Sequence, residues 1–292
     1  MENTNNNNLK LAIQKKGRLT EKSLELLKLC GIDVENYSER LVVSSNSFPL
    51  DVLFLRDDDI PEYVQDGVAD IGIVGENVIE EKAAKIELLE KLGFGKCKIM
   101  MAHPQDVSLL EPKDLMHKTI ATSYPKIVKQ YLAANGLEAK IIELSGSVEI
   151  APALGVADVI CDIVSTGNTL MMNKLKKGFT IFESQAVLIS AKFSDVIPEK
   201  KALIQDLLRR VRSVQSARRS KYLMMNVPKD AVQRIMALIP SLRSPTIVPL
   251  ADETLVAVHA VIPSDYIWNI VDILKKEGAS GILLLPIENM IP

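Results

Sequence analysis

One short pattern occurs twice in the sequence. Gly67-Val68-Ala69-Asp70-Ile71-Gly72-Ile73-Val74-Gly75 is echoed by Gly155-Val156-Ala157-Asp158-Val159-Ile160. Each copy reads as the end of a helix, a buried strand and then a loop. A glycine where a helix stops supplies the left-handed conformation that other residues adopt only at a cost. The apolar run behind it lacks polar alternation, as expected of a strand covered on both faces. Repetition of the whole unit constrains the chain to two similar α/β subdomains facing each other across a cleft, and clefts of that kind take small ligands. Gly72 and Gly75 would let the backbone approach such a ligand, although tight packing explains them equally well.

The second copy lies inside the chemically richest stretch, Gly146 to Leu170. Ser147 is placed to cap a short helix, with Glu149 in its first turn and Gly155 at its end. Asp158 to Asp162 is an apolar run bracketed by acids, a buried parallel strand. Ser165, Thr166, Gly167, Asn168 and Thr169 follow, ahead of a helix expected from Leu170. A glycine flanked by hydroxyls at a helix start offers backbone N–H groups, side-chain donors and a positive dipole end, which together suit a phosphomonoester. Asp162, at the strand's C-terminal end, could hold ribose hydroxyls beside that phosphate. An ordinary capped strand-to-helix turn would have the same residues.

These residues resemble a known family. D-x-x-x-T-G-x-T-L preceded by G-S-V-E-x-A-P is similar to the phosphoribosyl-pyrophosphate (PRPP) loop of the ATP phosphoribosyltransferases, the first enzymes of histidine biosynthesis. Ordered matches run along nearly the whole chain after the first eight residues: Q-K-K-G-R-L, R-D-D-D-I-P, D-G-V-A-D-I-G-I-V-G-E-N, I-A-T-S-Y-P, and S-K-Y-L-M-M followed by S-P-T-I-V-P-L. The common phosphoribosyltransferase fold carries two adjacent acids before its loop. Here Asp162 stands alone between Cys161 and Ile163. The resemblance implies a two-lobed α/β core of the type II periplasmic-binding-protein-like kind. Residues 9–102 and 188–218 would form one catalytic subdomain and 103–187 the other. It implies PRPP contacts at Glu149, Asp162, Ser165, Thr166, Gly167, Asn168 and Thr169, and ATP contacts at Lys15, Gly17, Arg18, Gly72 and Gly75. Arg18 and Arg56 would serve catalysis, and Mg²⁺ would be held mainly by substrate oxygens, since that ion asks few ligands of a protein.

Elsewhere the sequence gives supporting placements. Leu9 to Ile13 reads as a strand, and Thr20 as the cap of a helix over 21–30 that Gly31 stops. Lys15, Gly17 and Arg18 then sit between a strand's end and a helix start, the ligand edge of an α/β sheet. Arg56 follows a strand over 51–55, where a guanidinium suits bidentate contact with a di- or triphosphate. The acids Asp57, Asp58 and Asp59 before Pro61 are helix-start chemistry. A return segment is expected over 182–188, and a long helix from Pro198 to about Ala217.

From residue 219 the order changes to strand, helix, strand, strand, helix, strand, a ferredoxin-like arrangement with no evident nucleophile, base or metal cluster. An oligomerisation module is one reading. The resemblance implies a regulatory domain that binds histidine near Asn226, Leu242, Thr246 and Gly281, and a homo-oligomer, dimer or hexamer.

Composition narrows the classes. With 35 basic and 37 acidic residues there is no global field for nucleic acid. No apolar run approaches the roughly 18 residues that span a membrane. Cys30, Cys97 and Cys161 are widely spaced and read as reduced, mostly buried thiols of a cytoplasmic protein. Residues 1–8 are polar and read as a disordered tail. Two rival functions remain at this point: a non-catalytic binding protein of the same bilobal fold, and a phosphoribosyltransferase with another acceptor.

Overall fold

The computed structural model describes residues 8–34, 40–107, 109–164, 168–192, 197–242 and 244–291. The chain divides into two compact units: Met1–Leu27 with Ile32–Ile204, and Lys28–Gly31 with Gln205–Pro292.

The first unit is built on two sheets. Its first lobe contains β1 (Leu9–Gln14), α1 (Arg18–Leu29), β2 (Val42–Ser44), β3 (Leu50–Leu55), α2 (Ile60–Gln65), β4 (Ile71–Gly75), α3 (Glu76–Lys82) and β5 (Glu87–Lys91). The second contains β6 (Cys97–Pro104), β7 (Thr119–Thr122), α4 (Pro125–Ala134), β8 (Lys140–Glu143), β9 (Val159–Val164), α5 (Asn168–Met172) and β10 (Leu175–Ser184). The chain then returns through β11 (Ala186–Ser190) to the first sheet and continues into α6 (Pro198–Arg218). The sheet orders are β2-β3-β1-β4-β11-β5 and β10-β6-β9-β7-β8. In the first, β3, β1 and β4 run parallel, and in the second β8, β7 and β9 do. Central strands are apolar on both faces, as in Leu9, Leu11, Ala12 and Ile13 of β1, because helices cover both sides.

The chain crosses between the lobes twice, at 92–96 and at Gln185. The crossings bond to each other, Leu92 N–H to Ala186 O and Ala186 N–H to Phe94 O, both at 2.9 Å. Two adjacent crossings make a hinge, and the architecture is the two-lobed one expected. The echoed segments have matching roles. Gly67 and Gly155 are both left-handed, with φ of 72° and 68°. Asp70 accepts the N–H of Lys10 at 2.8 Å, and Asp158 that of Thr119 at 2.7 Å. Each aspartate thus pins the start of its strand to a parallel neighbour.

The second unit holds most of α6 and β12 (Ser220–Pro228), α7 (Val232–Leu238), β13 (Thr246–Pro249), β14 (Leu255–Pro263), α8 (Ile267–Lys276) and β15 (Ser280–Pro286). Its antiparallel sheet has the order β13-β14-β12-β15, which is ferredoxin-like. Leu223, Met225, Val227, Val258 and Ile262 point to the core shared with Ile235, Ile267 and Leu274 of the helices.

Several local expectations need correcting. Thr20 does not cap its helix. The helix begins at Arg18, and the Thr20 hydroxyl, buried in its first turn, donates to Gln14 O at 2.9 Å. The helix expected after Ser147 is a 3-10 turn over Val148–Ile150, and Ser147 is left-handed without a side-chain cap. The helix expected from Leu170 is only the short α5. Gly178 lies inside β10, where a side chain would press on the Met101 carbonyl of β6, 3.1 Å from the added carbon. The return over 182–188 is two strands broken at Gln185. Of the expected tail 1–8, residues 1–7 lie outside the described residues, whereas Asn8 bonds Asp51 at 3.0 Å.

Candidate active site

The parallel strands of both lobes end toward one region, and the polar residues follow their ends. Arg18 opens α1 after β1, and Arg56 is the N-cap residue of a 3-10 turn over Asp57–Asp59 after β3. Tyr124 follows β7, Cys97 opens β6, and Asp162 lies near the end of β9. Their charges interact. Burial raises the pKa of the Tyr124 phenol above its ordinary value, and Asp162, Cys97, Asp57 and Asp58 push it further. Burial also raises the Cys97 thiol, opposed by Ser184 and by the Arg18 guanidinium. Groups from both lobes are therefore within electrostatic reach of one another in the cleft.

Asp162 is the most perturbed carboxyl there. Its pKa is pushed up to about 6, chiefly by burial and further by the charge of Glu149. The N–H of Ile163, donating to its Oδ1 at 2.7 Å, offsets part of this. Left-handed Ser147 turns the chain so that the 3-10 turn carries Glu149 to this position. A half-desolvated acid beside another acid suits a ligand that brings hydroxyl donors. Next to it, a cavity of about 720 Å³ is lined by Lys96, Cys97, Lys98, Val164, Ser184 and Gln185 among others. A second cavity of about 600 Å³ lies by Thr119, Gly155 and Asp158, at the opposite ends of the same strands. The strand-end rule for α/β sheets favours the first.

The other expected residues fall into groups. Lys15, Gly17 and Arg18 are exposed together, and Gly17 has a φ of 144°, which strains any residue with a side chain and would also displace the Gln14 amide. Arg56 is exposed at the strand end. Gly72 is not brought to the cleft surface: a side chain there would strike Ile60 at 2.7 Å and Val64 at 3.0 Å. Packing of α2 on the sheet accounts for it. Gly75 is buried at the end of β4, where a side chain would collide with Asn77. Ser165, Thr166 and Gly167 lie outside the described residues. Asn168 opens α5, and Thr169 is exposed in its first turn. Tyr124 carried no functional assignment from the sequence, because a tyrosine before proline reads as an ordinary helix start.

In the C-terminal sheet, Asn226 and Gly281 are neighbours; a side-chain carbon at Gly281 would lie 3.4 Å from the Asn226 amide. Thr246 pairs with His259, on the face opposite the core. There the Tyr222 hydroxyl and His259 Nδ1 are 2.9 Å apart. Leu242 is exposed just before β13. The Tyr222–His259 contact went unread because it is a diagonal across β12 and β14, where Tyr222 pairs with Val261 and His259 with Met224.

Two crossing segments, parallel strands ending on a common cleft and a ferredoxin-like module define a bilobal α/β protein with a separate C-terminal domain. The family model described as ATP phosphoribosyltransferase matches residues 56–213, and that described as HisG, C-terminal domain, matches 217–289. The chain belongs to the ATP phosphoribosyltransferase family. It is 48% identical to the ATP phosphoribosyltransferase of Cytophaga hutchinsonii over 283 residues, 97% of this chain and 98% of that protein. Against the same enzyme of Bacteroides thetaiotaomicron the identity is 46%, over 97% and 99%. A solved ATP phosphoribosyl transferase (HisG:HisZ) complex from Thermotoga maritima is 32% identical with a TM-score of 0.58, covering 70% of this chain and 98% of that one. Among the described residues no helix is long and apolar enough to cross a membrane.

Proposed function

We propose that the protein transfers the phosphoribosyl group of PRPP to N1 of ATP, releasing pyrophosphate, with the Asp162 side of the cleft holding the PRPP ribose. The observation that carries this reading is Asp162 itself, half-buried beside Glu149 and three residues before the hydroxyl-rich loop. The loop over 165–169 takes the 5′-phosphate and Asp162 the ribose hydroxyls. The bond from C1 to pyrophosphate breaks as N1 bonds to C1 on the opposite face, with inversion. The attacking nitrogen bears no proton, so no general base is needed. Catalysis then rests on holding two ligands in line and stabilising the departing charge. Arg56 and Arg18, on the first lobe, supply positive charge for the polyphosphates.

Mg²⁺ fits this arrangement as a substrate-borne ion. The cavity beside Asp162 carries the carboxylates of Glu76 and Glu183 and has room for phosphates. When bound, the ion neutralises pyrophosphate charge.

The C-terminal module senses histidine, the pathway's end product, on the face that bears Asn226, Thr246 and Gly281. Exposed Leu283 and Leu285 on the same sheet favour contact between copies, consistent with a homo-oligomer. Titrating histidine against Asn226→Ala and Thr246→Ala reads this role; undiminished inhibition in both moves the sensor elsewhere. For the reaction itself, protein, Mg²⁺, PRPP and ATP are mixed and phosphoribosyl-ATP is sought. Absence of that product with an intact, folded protein defeats the assignment.

A further inference from the structure

Helix α4 lacks a cap of its own. Its N-cap residue is Tyr124, whose side chain makes no capping bond, and its first residue is Pro125. The next two N–H groups would be orphaned at the positive end of the helix dipole. They are taken by a carboxylate from the other lobe. Glu81 accepts from Lys126 N–H at 3.0 and 3.1 Å through its two oxygens, and from Ile127 N–H at 3.1 Å. In return Lys126 Nζ donates to Lys82 O, at the C-terminal end of α3, at 3.3 Å.

The two sides of this contact are rooted in different cores. Val78 of α3 packs with Ala12, Ile60 and Val74 of the first lobe. Ile127 and Val128 of α4 pack with Ile99, Ile120 and Val159 of the second. The other end of α3 is fixed to the hinge: Asn77 N–H donates to Ser184 Oγ at 3.1 Å, and Gln185 N–H to the Glu76 carboxylate at 3.1 Å. Helix α3 is thus a strut from the hinge to α4. Opening the cleft with each core intact requires the Glu81 bonds to break.

We propose that Glu81 is a positioning residue, an interlobe latch that holds the cleft closed by capping α4 from across it. It touches neither substrate. It sets Tyr124, one residue before α4, and through the closed register keeps the groups of the first lobe opposite Asp162. The proposal deepens the functional reading above and rests on the same cleft being where phosphoribosyl transfer occurs.

Two variants and two readouts test it. Glu81→Ala loses all three bonds; Glu81→Gln keeps one carbonyl acceptor and loses the charge. If closure is prepaid by the latch, the free alanine variant populates the open form, and apparent affinity falls by the fraction still closed. The expected result is a KM about tenfold higher for both PRPP and ATP in Glu81→Ala, with kcat within about twofold, and about threefold in Glu81→Gln. Small-angle scattering of the ligand-free variants should report a more extended particle that contracts to the wild-type profile at saturating substrates. Should alanine prevent folding, the glutamine variant carries both readouts. A lower melting temperature with wild-type KM and wild-type scattering would make Glu81 a structural cap only and overturn the latch. The scattering comparison stands without any activity, whereas failure of the wild type to form phosphoribosyl-ATP overturns the functional reading instead.

Discussion

The two echoed segments are best understood side by side. In both, a left-handed glycine ends the preceding turn, a valine is exposed (Val68 48%, Val156 42%), an alanine is buried, and an aspartate pins the neighbouring strand. They part company four residues after that aspartate. Val74 is wholly buried in a strand flanked by β1 and β11, whereas the matching Asp162 is half-buried beside Glu149. The first copy continues straight into α3 from Gly75; the second enters the hydroxyl-rich loop. One scaffold therefore ends in two ways: in the first lobe the strand finishes in a packed valine, and in the second in a half-buried acid, the one proposed to hold the PRPP ribose.

The most severe way to break the comparison is to give the first lobe the second lobe's acid. Val74→Asp buries an unpaired carboxylate between two strands and should cost about 3–5 kcal/mol, detected as a large fall in the urea midpoint. A tolerated substitution would mean the two strand ends are more alike than described. The next largest effect belongs to the first lobe's own chemistry. Arg56→Ala should lower kcat by about a hundredfold with PRPP affinity nearly kept, the pattern of charge stabilisation gained at the transition state. Both constants at wild-type values would leave Arg56 as a helix-start residue.

In the second lobe, the double variant Thr166→Ala/Thr169→Ala should weaken PRPP binding about tenfold or more, since each hydroxyl bond to a phosphate is charge-assisted. An unchanged dissociation constant in a folded double variant would remove the loop from the site. The smallest and sharpest test is pH. Burial, with the charge of Glu149 beside it, pushes the Asp162 carboxyl up from the usual carboxylate range to about 6, so its proton is lost as pH rises through that value. Ribose hydroxyls donate best to the ionised form. PRPP affinity should therefore rise as pH increases from 5 to 7, and the Asp162-dependent part of that rise should vanish in Asp162→Asn. The sign for folding is opposite: the raised pKa means stability is lost as pH rises from about 4 through 6, where the native state holds the proton more tightly. At pH 8 Asp162→Asn should melt no lower than wild type, measured by calorimetry. A profile shared by wild type and variant would assign the titration elsewhere.

Much of this was legible in the sequence, for reasons that also mark where it stopped. Glycine-ended helices, apolar runs and the loop after Asp162 are local signals, so β1, β3, β4, β9 and the module's strand and helix order were readable to within a few residues, whereas β5 and the first part of β10 were not expected. The start of β10 went unread because Gly178 inside it weakens a strand pattern, while in the fold it allows close backbone approach to Met101 of β6. Gly72 carried two readings, ligand approach and tight packing, and its lack of a side chain serves the packing of α2. Ser147 looks like a cap only until its left-handed backbone is known. The Glu81 contact with α4 and the Tyr222–His259 pair join distant residues, and no periodicity announces either.

The claim that the second lobe's strand end is the PRPP site is met most directly by calorimetric titration of PRPP with Mg²⁺ into wild type and Asp162→Ala at pH 8. The account predicts clear binding to wild type and an affinity about a hundredfold lower in the variant, as expected when charge-assisted bonds of roughly 1.5–3 kcal/mol each are lost. Equal affinity in the two proteins, with the variant folded, would contradict it.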